Sequence, residues 1–232
     1  MIEYENTLIR KYENFIREVV NSSVDRIDWN KLESQQKMFV DKMKELFKFQ
    51  NSESWSLLTS SLDTLGDSHL AIVSFLNSNI ENGNIFNTGE RYLRLYGVLS
   101  SVYIHFRAIS TLTDLTKIKT SKLEQEFKSL EISFLRNAIS AHPVNFELDG
   151  DKTHFKIARY SLNNSGLLEV VDKQNQFKTY NLHKSLKIYI EFSEKTLESI
   201  IRKLVENRYD SSSDKREELL NKLEKIKVDN TV

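Results

Sequence analysis

The stretch Arg136-Asn137-Ala138-Ile139-Ser140-Ala141-His142-Pro143 contains the only proline of the chain. A proline pushes the residue before it out of the α region, so a helix that reaches this point should end at about His142. The sequence therefore predicts an imidazole at the end of a helix, six residues after a guanidinium. An imidazole can exchange protons near neutral pH, and a guanidinium is a fixed cation suited to phosphate.

The helix that ends at this stretch is predicted to span 121–142. Its main apolar stripe consists of Leu123, Phe127, Leu130, Phe134, Ala138 and Ala141. At about 100° per residue, Arg136 lies almost opposite this stripe, with Ile132 and Ile139 as its neighbours. Because a helix that is apolar on two sides is covered on both, we expect Arg136 to lie in a second interface, either between helices or between subunits.

Apolar residues at helical spacing predict further helices at about 2–20, 31–49, 55–77, 88–112 and 182–208. The helix at 88–112 has the most regular pattern. Its apolar residues alternate by three and four positions and form one stripe, which we expect to be buried as core: Tyr92, Leu95, Tyr96, Leu99, Val102, Tyr103, Phe106 and Ile109.

The segment 145–180 has a different pattern, which predicts a small β insertion after the helix of 121–142. Phe146-Glu147-Leu148, Asp149-Gly150-Asp151 and Thr153-His154-Phe155-Lys156-Ile157 follow the order strand, tight turn, strand. A further strand is expected at Leu167-Leu168-Glu169-Val170-Val171.

The predicted organisation has three parts. N-terminal helices over 1–80 pack on a helical core over 81–210, which carries the β insertion, and a charged tail follows over 211–232. In that tail Leu219, Leu220, Leu223 and Ile226 allow either a short amphipathic helix or a frayed end.

Composition limits the function classes. Lys plus Arg and Asp plus Glu number 33 each, whereas proteins that coat long nucleic acids usually have a basic excess, so any contact with nucleic acid should be local. The chain has no apolar run of membrane-spanning length, no apolar signal core in Met1-Ile2-Glu3-Tyr4-Glu5 and no cysteine. We expect a cytoplasmic protein without membrane contact.

We expect neither a metal nor a cofactor, because the other histidines lack metal-ligand spacing. These histidines are His69, His105, His154 and His183.

The sequence Leu135-Arg136-Asn137-Ala138-Ile139-Ser140-Ala141-His142-Pro143 resembles the signature of the HEPN superfamily, an Arg followed by a polar residue with a His four to six positions further on. The stretch Tyr92-Leu93-Arg94-Leu95-Tyr96-Gly97-Val98-Leu99 is similar to the helix before the motif in AbiU2-like members. The resemblance covers about 88–143 and the last long helix.

This resemblance implies an all-α, HEPN-like bundle that forms a homodimer with two Arg–His motifs in one cleft. Many members are metal-independent ribonucleases that act as toxins or phage-defence effectors. In such an enzyme His142 would exchange protons with the 2′-hydroxyl or the leaving 5′-oxygen, Arg136 would hold the phosphate, and Asn137 would orient either group. We expect Tyr103 and Arg107 of the preceding helix nearby.

Other interpretations stay open at this point. Members often add an acidic or polar residue from the preceding helix, and Tyr103-Ile104-His105-Phe106-Arg107 has no acid. That departure, with the zero net charge, favours a catalytically inactive dimeric module that binds a partner protein or nucleotide, for example an antitoxin. His142 could also simply complement the C-terminal dipole of its helix, and Arg136 could be the partner of a buried glutamate.

Overall fold

The computed structural model describes residues 2–22, 32–78, 86–141, 144, 146–148, 151–158, 161–163 and 166–229. Its helices are α1 (Leu8–Asn21), α2 (Leu32–Phe47), α3 (Ser54–Leu76), α4 (Thr88–Leu115), α5 (Thr120–Ser129), α6 (Glu131–Leu135), a π-helical segment (Arg136–Ala141), α7 (Leu182–Arg208) and α8 (Asp214–Val228), with a short 3-10 turn at Tyr4–Asn6 before α1. The prediction of a mostly helical chain is confirmed. His142, Pro143 and the turn residues Asp149 and Gly150 lie outside the described residues.

The β insertion is larger than the single predicted hairpin. β1 (Phe146–Leu148) pairs antiparallel with β2 (Asp151–Thr153), as expected for the first part of the insertion. β3 (Lys156–Ile157) does not extend that hairpin, however, and pairs with β4 (Leu167–Val171), which also pairs with β5 (Phe177–Asn181). The sequence predicted one strand over 153–157 and none at β5, because the two aromatic residues of β5, Phe177 and Tyr180, are three positions apart and lack the alternation of a half-buried strand.

The chain divides into two compact units, and α3, α4 and α7 each contribute residues to both. The first consists of Met1–Ile2, Asp67–Phe106 and Ser121–Phe192; the second consists of Glu3–Gly66, Arg107–Thr120 and Ser193–Val232.

In the first unit, α4 packs against α5 and the β insertion packs against α6. The rings of Phe106 and Phe127 stack with centroids 3.7 Å apart, so the two helices predicted at 88–112 and about 121 onward do pack together. Phe134 of α6 contacts Phe146, Phe155 and Tyr180, with ring centroids 5.2–6.0 Å apart. These aromatic contacts fix both sheets next to the segment that carries Arg136.

In the second unit, a buried carboxylate joins α1 to α3. Glu13 is 2% exposed and accepts hydrogen bonds from Arg10 at 2.8 Å and from Arg17 at 2.9 Å. The bond to Glu13 raises the pKa of Arg10 above its ordinary value. Gly66 lies so close that a Cβ atom there would come within 2.9 Å of a carboxylate oxygen, so a larger residue at this position of α3 would displace the carboxylate of Glu13.

The C-terminal segment forms a helix, which is one of the two alternatives left open for it. Leu219 and Leu223 of α8 are buried. Lys222 donates to Glu18 of α1, and Lys227 donates to Glu198 of α7 at 2.9 Å. Because of these bonds and its apolar stripe, α8 belongs to the core of the second unit.

Within the part of the chain that the structure describes, no helix is both long and apolar enough to cross a membrane.

Candidate functional site

The apolar stripe predicted for α4 is only partly buried. Five of its members form the buried centre: Leu95, Leu99, Val102, Phe106 and Ile109. Tyr96 and Tyr103 are 43% and 37% exposed, so the expectation that the whole stripe is core is wrong. At 100° per residue, these two tyrosines lie about 80–100° from Leu95 around the helix, at the edge of the stripe.

The predicted continuous helix over 121–142 is also wrong, because it breaks at Leu130. The backbone of Leu130 is extended, with φ −73° and ψ 138°. Just before it, the hydroxyl of Ser129 donates to the carbonyl of Glu126 at 2.7 Å, and such local bonds compete with helix continuation. The chain then forms α6 and passes directly into the π-helical segment, whose first residue is Arg136. Short π-helical turns are often found at functional sites.

Arg136 contacts two of the residues that the sequence placed beside it. Its Cζ lies 3.9 Å from the ring centroid of Tyr103, and its Nη1 donates to Oδ1 of Asn137 at 2.8 Å. Arg136 and Asn137 are both half-buried. The structure thus brings together a cation, an aromatic face and an amide, and we call these three residues the Arg136 site.

Arg136 forms no salt bridge with any carboxylate of the described residues. The alternative in which it pairs with a buried glutamate therefore finds no partner in that part of the chain. A guanidinium without a carboxylate partner keeps N–H donors for an external anion, and its planar fork suits phosphate.

The isoleucines beside Arg136 do not need a second subunit to cover them. Ile132 is 0% exposed and Ile139 is 4% exposed in the single chain. Of the two interfaces considered for this side of the helix, the intramolecular one accounts for both residues. The burial of Ile132 and Ile139 therefore gives no support for a dimer.

The other two predicted site residues are not part of the described group. Arg107 is exposed, belongs to the second unit, and its carbonyl accepts a hydrogen bond from Thr111 at 3.0 Å. His142 follows Ala141, the last residue of the π-helical segment, and lies outside the described residues.

A buried pair of histidines was not foreseen. His69 and His105 are 1% and 0% exposed, with ring centroids 5.8 Å apart. Nδ1 of His105 is 2.7 Å from the hydroxyl of Tyr189, which itself donates to the carbonyl of Val102. His105 therefore lies in the core and not at the Arg136 site. The two histidines are 36 positions apart in the sequence, so no local motif brings them together.

Burial sets the charge of this histidine pair. Loss of solvation lowers the pKa of His69 to about 4. It also lowers the pKa of His105 well below its usual range, and the neighbouring His69 adds to that effect. Both rings are therefore neutral at pH 7. Among the described residues, no group of three or more His, Asp or Glu side chains is placed to hold a metal ion.

The arrangement at the Arg136 site can hold an anion, but its three residues include no carboxylate and no imidazole. An imidazole base would have to come from outside this group, and His142, six positions after Arg136 in the sequence, is the candidate. Comparison with known protein families, curated proteins and solved structures found no significant match for this chain.

Proposed function

We propose that the protein is a metal-independent endoribonuclease of the HEPN type that acts in the cytoplasm as a toxin or phage-defence effector. The observation that carries this proposal is the half-buried guanidinium of Arg136. It is held by Tyr103 and Asn137, and no described carboxylate neutralises it. A cation held in this way is suited to the non-bridging oxygens of a phosphodiester.

In the proposed reaction the 2′-hydroxyl of the RNA attacks the adjacent phosphorus. The bond between the 2′-oxygen and phosphorus forms while the bond from phosphorus to the 5′-oxygen breaks. One His142 takes the proton of the 2′-hydroxyl, and His142 of a second copy gives a proton to the departing 5′-oxygen. Arg136 stabilises the charge that builds up on phosphorus. The products are a 2′,3′-cyclic phosphate and a free 5′-hydroxyl.

Because this reaction uses two imidazoles, the proposal includes a homodimer. An exposed face of α4, beside the Arg136 site, supports it. Leu93, Tyr96 and Ile104 on this face are 72%, 43% and 46% exposed, and a Cβ added at Gly97 would meet no atom within 4 Å. At 100° per residue these positions lie on one side of the helix. We call this surface the open face of α4.

Ile104→Glu should dissociate the proposed homodimer, because it places a carboxylate in an apolar interface. Ile188→Glu is the matched control, since Ile188 lies on α7 and is 45% exposed, against 46% for Ile104. Light scattering at micromolar concentration should give a dimer mass for the wild type and for Ile188→Glu, and a monomer mass for Ile104→Glu. A monomeric wild type, or a dimer that Ile104→Glu leaves intact, would count against this interface.

The same open face favours a second candidate function, an inactive HEPN-like module that binds an antitoxin or another partner protein. A cluster of exposed apolar side chains on one helix is typical of interaction surfaces. The absence of a carboxylate in Tyr103-Ile104-His105-Phe106-Arg107, together with the burial of His105, leaves the Arg136 site without a carboxylate or an imidazole from this stretch of α4.

Incubation of the purified protein with structured RNA in EDTA distinguishes the two functions. The nuclease should release fragments with 2′,3′-cyclic phosphate ends, and His142→Ala should abolish their formation. If no RNA is cleaved and the protein instead binds a protein encoded next to it, the inactive module is the correct interpretation.

A further inference from the structure

A separate cleft in the first unit carries positive charge. It lies between the ends of α3 and α4, the segment that precedes β4 and the start of α7, and it is partly open to solvent. Arg91, Arg94 and His183 line it together with the rings of Phe75 and Phe86. Basic and aromatic groups thus face the same small volume.

Arg91 is fixed in this cleft without a carboxylate partner among the described residues. Its Nε donates to the carbonyl of Phe86 and its Nη1 donates to the carbonyl of Leu162, both at 3.0 Å. A guanidinium has five N–H donors, so these two bonds hold the group in place and leave donors for a ligand. Carbonyl oxygens satisfy hydrogen bonds but do not cancel the charge, so the cleft keeps a positive charge at Arg91.

Arg94 adds a second guanidinium and fixes one aromatic wall. Its Cζ lies 3.8 Å above the ring of Phe86, and it pairs with Glu90 at 3.3 Å. Glu90 offsets the charge of Arg94 but not that of Arg91. With two cations and one carboxylate, the group has a net charge that favours an anion.

His183 forms another part of the wall. Its ring lies edge-on to Phe75, with centroids 5.7 Å apart. Burial, and to a smaller extent Lys187, lower the pKa of His183, so the neutral ring can donate one hydrogen bond and accept another. Gly166 has φ +77°, and a Cβ there would lie 3.2 Å from the imidazole. The glycine therefore permits both the turn and the position of the ring.

We propose that this cleft binds a small organic phosphate, with the phosphoryl group against Arg91 and the organic part against the rings that line the cleft, Phe75 and Phe86. The charge at Arg91 accounts for the anion, and the bidentate geometry of a guanidinium favours an oxyanion with several oxygens. The aromatic walls account for an apolar or ring-bearing remainder.

This cleft is distinct from the Arg136 site. Arg94 and Tyr103 are nine positions apart on α4, which places them about 180° apart around the helix. Binding of the organic phosphate in this cleft therefore does not depend on nuclease activity at the Arg136 site. Either proposal can fail without the other.

Calorimetric titration with phenyl phosphate, inorganic phosphate and phenol tests the assignment. The wild type should bind phenyl phosphate saturably and more tightly than either of the other two compounds, because only phenyl phosphate offers both the anion and the ring. Arg91→Gln should weaken the binding of phenyl phosphate by about tenfold or more, since a charge-assisted hydrogen bond is lost. Lys122→Gln is the control, because Lys122 is an 82% exposed cation on α5, and its affinity should equal that of the wild type.

Absence of saturable phenyl phosphate binding would overturn the proposal, and so would equal affinity in the wild type and a folded Arg91→Gln variant. Arg91 also braces two backbone segments, so that variant could fail to fold. In that case Arg94→Gln and Phe86→Leu decide, because Arg94 does not bridge the segment at Leu162. Weaker binding in both supports the cleft, and unchanged binding in both overturns it.

Discussion

Replacing Arg136 with alanine should lower the rate of RNA cleavage in EDTA by about 10²–10³-fold, the usual effect of removing a preorganised donor to a transition-state charge. The guanidinium faces Tyr103 and Asn137 and has no described carboxylate partner. Its loss therefore removes a phosphate ligand and leaves no buried acid uncompensated. We expect the unfolding temperature to change little, because Arg136 is half-buried and the isoleucines on either side of it provide the packing.

Two further variants separate a phosphate-binding role from a general structural one. Arg136→Lys keeps the charge but loses the planar fork and the stacking on Tyr103, so its cleavage rate should lie between those of the wild type and Arg136→Ala. Lys128→Ala removes an exposed cation of α5 and should cleave as the wild type does. If Arg136→Ala unfolds the protein, or cleaves RNA at the wild-type rate, the guanidinium is not a phosphate ligand.

Most of the helices could be predicted from the sequence because their signals are local. The spacing of Ile9, Tyr12 and Ile16 predicts one buried face for α1, and all three residues are buried. At the start of α4, Asn87 accepts a hydrogen bond from the amide of Glu90 at 3.0 Å, as a helix N-cap should. Such patterns require only neighbouring residues, so they are visible without the fold.

The extent of burial around α4 could not be predicted in the same way. The spacing of Tyr103 is compatible with the apolar stripe, but the width of the covered face depends on which elements pack against the helix. Tyr103 lies outside the covered part and becomes the support of Arg136. A residue assigned to the core from its spacing is therefore part of the candidate site.

Ile132 and Ile139 show another limit of prediction from the sequence. Their position on the side of the helix away from the main stripe indicated a second interface, which is correct. The sequence cannot say whether a second interface lies within one chain or between two, and in this protein the single chain buries both residues. The proposed homodimer therefore depends on the open face of α4 and on the two-proton chemistry.

The buried histidine pair makes a second large effect predictable. Acidification from pH 7 to pH 4 should lower the free energy of unfolding by about 3 kcal/mol through His69 alone, since its pKa is about 4 in the folded chain and 6.5 in the unfolded one. Between these values the unfolded chain binds a proton that the folded chain does not. The contribution of His69 is complete above pH 6.5, falls as the pH decreases to 4, and does not fall further below that. His105 has a lowered pKa as well and acts in the same direction.

Denaturant unfolding at a series of pH values measures this effect, with His69→Gln as the test and His154→Gln as the control. Other groups also titrate in this range. Because the pKa of His183 is lowered, its protonation reduces the stability of the protein on acidification, as that of His69 does. The pKa of Glu198 is also lowered, so its carboxylate stabilises the protein near neutral pH, and this contribution is lost as the pH falls below the ordinary pKa of a glutamate. Comparison of variants removes these shared contributions.

His69→Gln should be less stable than the wild type at pH 7, because a polar group of different shape enters the core. The difference in the free energy of unfolding should shrink by about 3 kcal/mol at pH 4. His154 is exposed, so His154→Gln should follow the wild-type curve. Parallel curves for His69→Gln and the wild type would show that the fold does not keep His69 neutral, and that the acid sensitivity of the protein arises at other groups.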